Sequence, residues 1–179
     1  MSSGDGMARK PVETEPDAAF WRYSVGLYGR ADVSERCLRL QDQHGCDVNL
    51  ILFALWSGLS QGALSHEAAE AVVGLCRRWG ARAVQPLRAI RRDLKSGVDG
   101  IASEAFREAV KRLELEAEKL QQHAMARMCS CVAPAGLAAA ERNLILCLEL
   151  SGVDADKARP DWAAILSEAE CAERGDLEP

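Results

Sequence analysis

Leu50 through Trp56 is an unbroken run of seven apolar residues, with Val48 before it and Leu59 after it. A helix that is apolar on every side has no face to turn toward water, so other elements must surround it. At a rise of about 1.5 Å per residue it is also far too short to cross the roughly 30 Å hydrocarbon core of a bilayer. The run therefore predicts the central helix of a soluble helical domain. A chain of 179 residues is long enough to build one such domain around a sizeable core.

The share of hydrophobic residues, 48%, argues against disorder. The formal net charge of -5 argues against a general nucleic-acid binder. Seven cysteines, Cys37, Cys46, Cys76, Cys129, Cys131, Cys147 and Cys171, are scattered, odd in number and form no C-x-x-C pair. They predict a reducing, cytoplasmic setting with mostly buried thiols. The polar start MSSGDGMARKPVETEP has no apolar signal-like region, and no segment is long enough for a membrane span. The expected organisation is a flexible tail over 1–15, one all-α domain over 16–172 and a flexible acidic tail over 173–179.

Taken in order, Trp21, Val25 and Tyr28 stand at helical spacing, widened by Phe20 and Leu27, with Asp17 as a candidate cap and Gly29 as a stop. A second helix begins near Asp32, carries Val33, Cys37, Leu38 and Leu40 on its apolar side, and stops at Gly45. Asp47 caps the central helix, which is expected to run to about Gln61. Ser65 opens a fourth helix bearing Ala69, Val72, Cys76 and Trp79, with Gly80 as its stop. A fifth covers about Ala81 to Lys95, with Pro86 as either a first-turn residue or a kink, and Ser96–Gly100 forms a turn. In the next helix, about Ser103 to Arg127, Phe106, Val110, Leu113, Ala117, Leu120 and Ala124 repeat with the spacing of a helix seam. That seam would close an intramolecular hairpin or a dimer, and its alanines favour the hairpin. Leu137, Ala140, Leu144, Cys147 and Leu148 mark another helix ending near Gly152, and Pro160 starts a last one with Trp162, Ile165, Leu166 and Ala169. No stretch alternates long enough to predict a strand. The expected fold is an all-α, single-domain bundle of about eight helices around a buried central helix.

The blocks FWRYSVGLYGR, CLRLQDQHGCDVNLILFALW and RRWGARAVQPLRAIRRDLK carry a resemblance. From about Phe20 to Lys95 the chain resembles a family of small uncharacterised proteobacterial proteins with an LQD-x-x-G-x-DVN-LLLF-x-LW signature, a domain of unknown function. The resemblance implies a bacterial, soluble, helical protein and supplies no catalytic residues.

Two clusters could carry chemistry. At the junction of the second and central helices, Asp42, His44, Cys46, Asp47 and Asn49 crowd one turn. They could form a polar ligand pocket or a metal site, or simply cap helix ends, and the spacing matches no standard zinc pattern. Between Arg77 and Lys95 lie seven basic residues against the single acid Asp93. Arg88, Arg91, Arg92 and Lys95 share one helix face, which at about 100° per residue lies beside the Leu87, Ile90 and Leu94 stripe. Some of these guanidinium groups should therefore sit at the core margin and grip a carboxylate or phosphate. Their partners could be internal, the nine acidic residues after Leu148 being the candidates, or external.

Of the weaker features, Cys129 and Cys131 could bind metal or respond to redox state, and His66 and His123 fall on expected helix surfaces. The four tryptophans read as packing residues. Absent are a phosphate-cradling loop, a nucleophile elbow, H-E-x-x-H and Asp-rich diphosphate motifs, so no catalytic residue, metal or cofactor is assigned. The leading expectation is a non-enzymatic cytoplasmic protein that holds a protein partner through Arg88, Arg91, Arg92 and Lys95. The alternatives are a small-molecule protein or enzyme with a pocket at Asp42, His44, Asp47 and Asn49, aided by Arg88 or Arg91, and association with RNA or the ribosome.

Overall fold

Gly45, Cys46 and Asp47 join two helices in three residues, and each residue does a separate job. Gly45 takes the left-handed conformation (φ 69°) that ends α2 (Ala31–His44). Its amide bonds Gln41 O at 3.0 Å, the bond of a simple left-handed helix stop, and the amide of the buried Cys46 bonds Leu40 O at 3.2 Å. Asp47 then caps α3 (Val48–Trp56), its Oδ1 accepting from Asn49 N at 2.9 Å and Leu50 N at 3.3 Å.

The structure is a computed structural model that describes residues 15–97, 101 and 103–174. Almost all of the expected tails, and Val98 to Gly100 of the expected turn, lie outside the described residues. The remaining elements are α1 (Glu15–Tyr28), α4 (His66–Trp79), α5 (Gln85–Asp93), α6 (Glu104–Arg127), α7 (Leu137–Leu150) and α8 (Ala155–Arg174). Two short strands, β1 (Ala63–Leu64) and β2 (Cys131–Ala133), pair antiparallel with a register shift. The fold is all-α, as expected. Its eight α-segments among the described residues form seven rods, because α4 runs into α5 through a π turn at Gly80–Val84.

Every residue of α3 from Asn49 to Trp56 is buried, with α1, α6 and α7 against it. Phe20 stacks on Trp56 at 5.0 Å and meets Phe53 edge-on at 5.6 Å between ring centres. A π turn at Ser57–Gln61 prolongs α3, and there α7 crosses at its closest. A Cβ on Gly58 would stand 2.1 Å from Ala140 Cα, so only glycine fits. Beside it the fully buried Asn143 donates to Ser57 Oγ (3.1 Å) and Gly62 O (3.0 Å) and accepts from Leu64 N (2.8 Å). One amide thus satisfies the irregular exit of α3 and the start of β1.

Several sequence expectations are corrected. Gly80 does not stop α4, because it keeps helical angles (φ -51°, ψ -50°) and the chain widens into the π turn instead. Pro86 follows as a first-turn residue of α5, where the widened turn spares the amide that proline lacks. Pro160 lies inside α8 rather than at its start, and the nearby carbonyl of Ala155 accepts Trp162 Nε1 at 2.8 Å. Asp17 does not cap α1. It is fully buried and grips Arg127, with Nε to Oδ2 at 3.0 Å. On α1, Phe20 and Leu27 are the core residues while Val25 and Tyr28 are exposed, and Leu38 of α2 is exposed as well. His123 is buried, not on a helix surface. Trp56 and Trp162 are buried in the core, while Trp21 and Trp79 are half-buried.

The largest correction concerns α6. Of the expected seam, Val110 and Ala117 are buried and Ala124 is half-buried, but Phe106 (61%), Leu113 (59%) and Leu120 (43%) are exposed. The helix is rolled by roughly 50° so that Glu114 and Gln121 take the inward positions. α6 packs within the chain, against α1 and α5, but Phe106, Leu113 and Leu120 of the expected seam are not buried in that contact.

Substitution of Gly58 by alanine should lower stability by about 3 kcal/mol, because backbone rather than a movable side chain occupies the space. Gly26→Ala, which meets nothing within 4 Å, should instead stabilise by about 0.5–1 kcal/mol. Urea unfolding of the two variants side by side checks both.

Candidate functional site

The α4–α5 rod has an inner face that is fully used and an outer face that is not. Inward, Arg88 donates from Nε to Glu114 Oε1 (2.9 Å), from one terminal nitrogen to Gln41 Oε1 (2.6 Å) and from the other to Glu118 Oε1 (2.7 Å). Arg91 donates to both oxygens of the same Glu114 carboxylate, a two-pronged pair. The Glu114 side chain is only 7% exposed, against 20% for Arg88 and 28% for Arg91, so the cluster sits at the core margin. Further along, Trp79 Nε1 donates to Ala117 O at 2.9 Å and ties the end of α4 to the same helix.

A second polar cluster adjoins it on α6. Gln121 donates from Nε2 to Asp47 Oδ2 (2.9 Å) and accepts from Asn49 Nδ2 at Oε1 (3.1 Å). Gln122 donates to Asn49 Oδ1 at 2.8 Å. The α2–α3 junction is thus read by two consecutive glutamines of α6, and the charge of Arg88 acts on Asp47 across the two clusters.

Electrostatics separates the three carboxyls. Burial works against Glu114 as an anion, but hydrogen bonds from Arg91 and Arg88 outweigh it and hold its pKa below the ordinary value. Burial pushes Asp47 up, against the opposing pull of Gln121, the Leu50 and Asn49 amides and Arg88. Burial also raises Glu118, whose bond to Arg88 is partly offset by neighbouring Glu114.

The structure places the sequence candidates differently from one another. Asp47 and Asn49 are joined, both turned toward α6. Asp42 is exposed and accepts only from neighbouring Gln41 at 3.4 Å, and His44 is half-buried, so these two do not join the Asp47 cluster. The cavity beside Asp47 is about 10 Å³, room for about one water, and Arg88 is not in its wall. Arg88 and Arg91 find internal partners, but from α6 and not from the acidic C-terminal segment. Asp161 and Glu168 of α8 serve α2 instead, with Asp161 accepting from Arg39 at 2.8 Å and Arg36 at 3.3 Å, and Glu168 from Arg30 at 3.2 Å. Arg92 and Lys95 are exposed, as are Arg77, Arg78 and Arg82, and none of the five makes an ion pair among the described residues. Ile90, expected in the apolar stripe, is exposed as well.

Glu114, Gln121 and Gln122 were not singled out from the sequence. The available signal was their spacing with Val110 and Ala117, a stripe as regular as the apolar seam that it displaces. Among the described residues, no group of three or more His, Cys, Asp or Glu side chains is placed to hold a metal ion. No helix among them is long and apolar enough to cross a membrane.

Glu114→Gln should cost about 2–4 kcal/mol at neutral pH, because two guanidinium groups lose their counter-charge at the core margin. The Glu114 contribution is complete above its ordinary pKa of 4.5 and fades as pH falls through the lower folded value. The stability gap between wild type and variant should therefore narrow below about pH 4.5, as read by urea unfolding across a pH series. The raised Asp47 and Glu118 act in the opposite sense, since their contributions are present in acid and lost as pH rises through their folded values.

No curated protein and no solved structure matched the chain. A family model described as "Protein of unknown function (DUF2390)" matched residues 19–125. That span holds α2 to α5, α1 from Ala19 onward and the part of α6 up to Met125, including both polar clusters. The chain belongs to the DUF2390 family of proteins of unknown function.

Proposed function

We propose that the protein is a non-enzymatic interaction module that holds an acidic protein segment on the outer surface of the α4–α5 rod. The observation that carries this reading is the division of labour among the rod's cations. Arg88 and Arg91 are consumed in fixing the rod to α6, whereas Arg82, Arg92 and Lys95 are exposed without a carboxylate partner among the described residues. On a chain of net charge -5, cations concentrated on one rod form a local reversal of sign, which favours acidic partners and steers their approach. The fitting partner is therefore a segment rich in carboxylates. A rod held by charge-assisted hydrogen bonds presents those cations from a fixed backbone, which removes the backbone part of the ordering cost on binding.

The test is fluorescence anisotropy of the full chain with a labelled Glu/Leu-rich peptide. The triple reversal Arg82→Glu, Arg92→Glu and Lys95→Glu, with far-ultraviolet circular dichroism unchanged, should weaken binding at least about tenfold. Unchanged affinity would overturn the reading. So would tighter binding of poly(U) RNA than of the peptide at the same ionic strength, since that is the signature of phosphate neutralisation.

A further inference from the structure

Cys129 and Cys131 lie between the end of α6 and β2 with their sulfur atoms 3.6 Å apart. The backbone around them is pinned on both sides. The Cys129 amide bonds back to Ala126 O at 3.4 Å, and Ser130 O accepts from Ser65 N at 3.0 Å. Cys131 itself faces Leu64 in the β1–β2 ladder. These ties hold the two side chains on the same side of the connection, where a change of side-chain rotamers can close the remaining distance to a bond of about 2 Å. The two thiols differ in access: Cys131 is exposed and Cys129 is half-buried. Elsewhere Cys37, Cys46, Cys76 and Cys147 are buried and Cys171 is half-buried, so small reagents in solution meet the exposed Cys131 first.

We infer that Cys129 and Cys131 form a redox-active dithiol, oxidised reversibly to an intramolecular disulfide by exchange with a low-molecular-weight disulfide of the glutathione type. The Cys131 thiolate attacks one sulfur of the external disulfide, forming a mixed disulfide and releasing one small thiol. Cys129 gives its proton to solvent, and its sulfur attacks Cys131 Sγ and expels the second small thiol. The protein pair is oxidised by two electrons and the external disulfide is reduced to two thiols. Burial and the neighbouring Cys131 raise the Cys129 thiol to about 12, which leaves the first attack to Cys131, and the 3.6 Å approach of the two sulfurs favours the second, intramolecular step. The product staples the exit of α6 to β2, next to Ser65, the residue that caps α4.

The experiment exposes the folded, full-length chain to graded glutathione disulfide, then alkylates the remaining thiols and maps the peptides by mass spectrometry. The wild-type protein should accumulate the Cys129–Cys131 disulfide while Cys37, Cys46, Cys76 and Cys147 stay reduced. Cys129→Ser should trap a stable glutathione adduct on Cys131, and Cys131→Ser should acquire an adduct on Cys129 about tenfold more slowly. Four results would overturn the inference: a persistent glutathione adduct on Cys131 of the wild type, disulfide-linked dimers, equal rates in the two variants, or no reaction. Both substitutions exchange sulfur for oxygen in a surface connection, and matching thermal melts would show that the fold is unchanged.

Discussion

A carboxylate with only 7% of its side chain exposed cannot stay ionised without close counter-charges, and Glu114 has two of them from one neighbouring helix. This one requirement sets the roll of α6. With Glu114 turned inward to Arg88 and Arg91, Gln121 comes round to Asp47 and Asn49, and Gln122 reaches the far side of Asn49. Phe106, Leu113 and Leu120 are carried out to the surface as a consequence. Two effects compete here, and their magnitudes decide the outcome. Burying three exposed apolar side chains would gain a few kcal/mol, but turning Glu114 and Gln121 outward would strip Arg88, Arg91, Asp47 and Asn49 of their partners, which costs more.

The same helix links the core to the outer surface. On one side of α6, α3 is apolar all round and finds partners in α1 and α7, with the Gly58–Ala140 crossing bringing backbones into contact. On another side, α5 has no buried residue of its own and is held by the side chains that reach Glu114 and Glu118. The α5 half of the rod is therefore fixed in place electrostatically rather than by a large apolar footprint, whereas α4 is anchored in the core through Ala69, Val72 and Cys76.

What could be read from the sequence is what neighbouring residues decide. The stop at Gly45, the caps at Asp47 and Ser65 and the all-round burial of Leu50 to Trp56 depend on residues within a few positions of each other, and all are found. The angular argument that placed some arginines at the core margin also holds for Arg88 and Arg91. Their partners were not legible, because Glu114 and Glu118 lie more than twenty residues away and the concentrated acids of the C-terminal segment were the more visible candidates. Asp17 and Gly80 failed for related reasons. Asp17 answers to Arg127, 110 residues distant, and Gly80 sits where the chain makes room for Pro86 by widening rather than by stopping.

The central claim is that the Arg88–Glu114 contact, and not apolar packing of α5, holds α5 to α6. A double-mutant cycle with Arg88→Met and Glu114→Leu, read by urea unfolding at neutral pH, measures that contact directly. The account predicts a coupling of about 2 kcal/mol or more, with the double variant recovering much of what either single change loses. A coupling below about 0.5 kcal/mol, with the single effects simply adding, would contradict it.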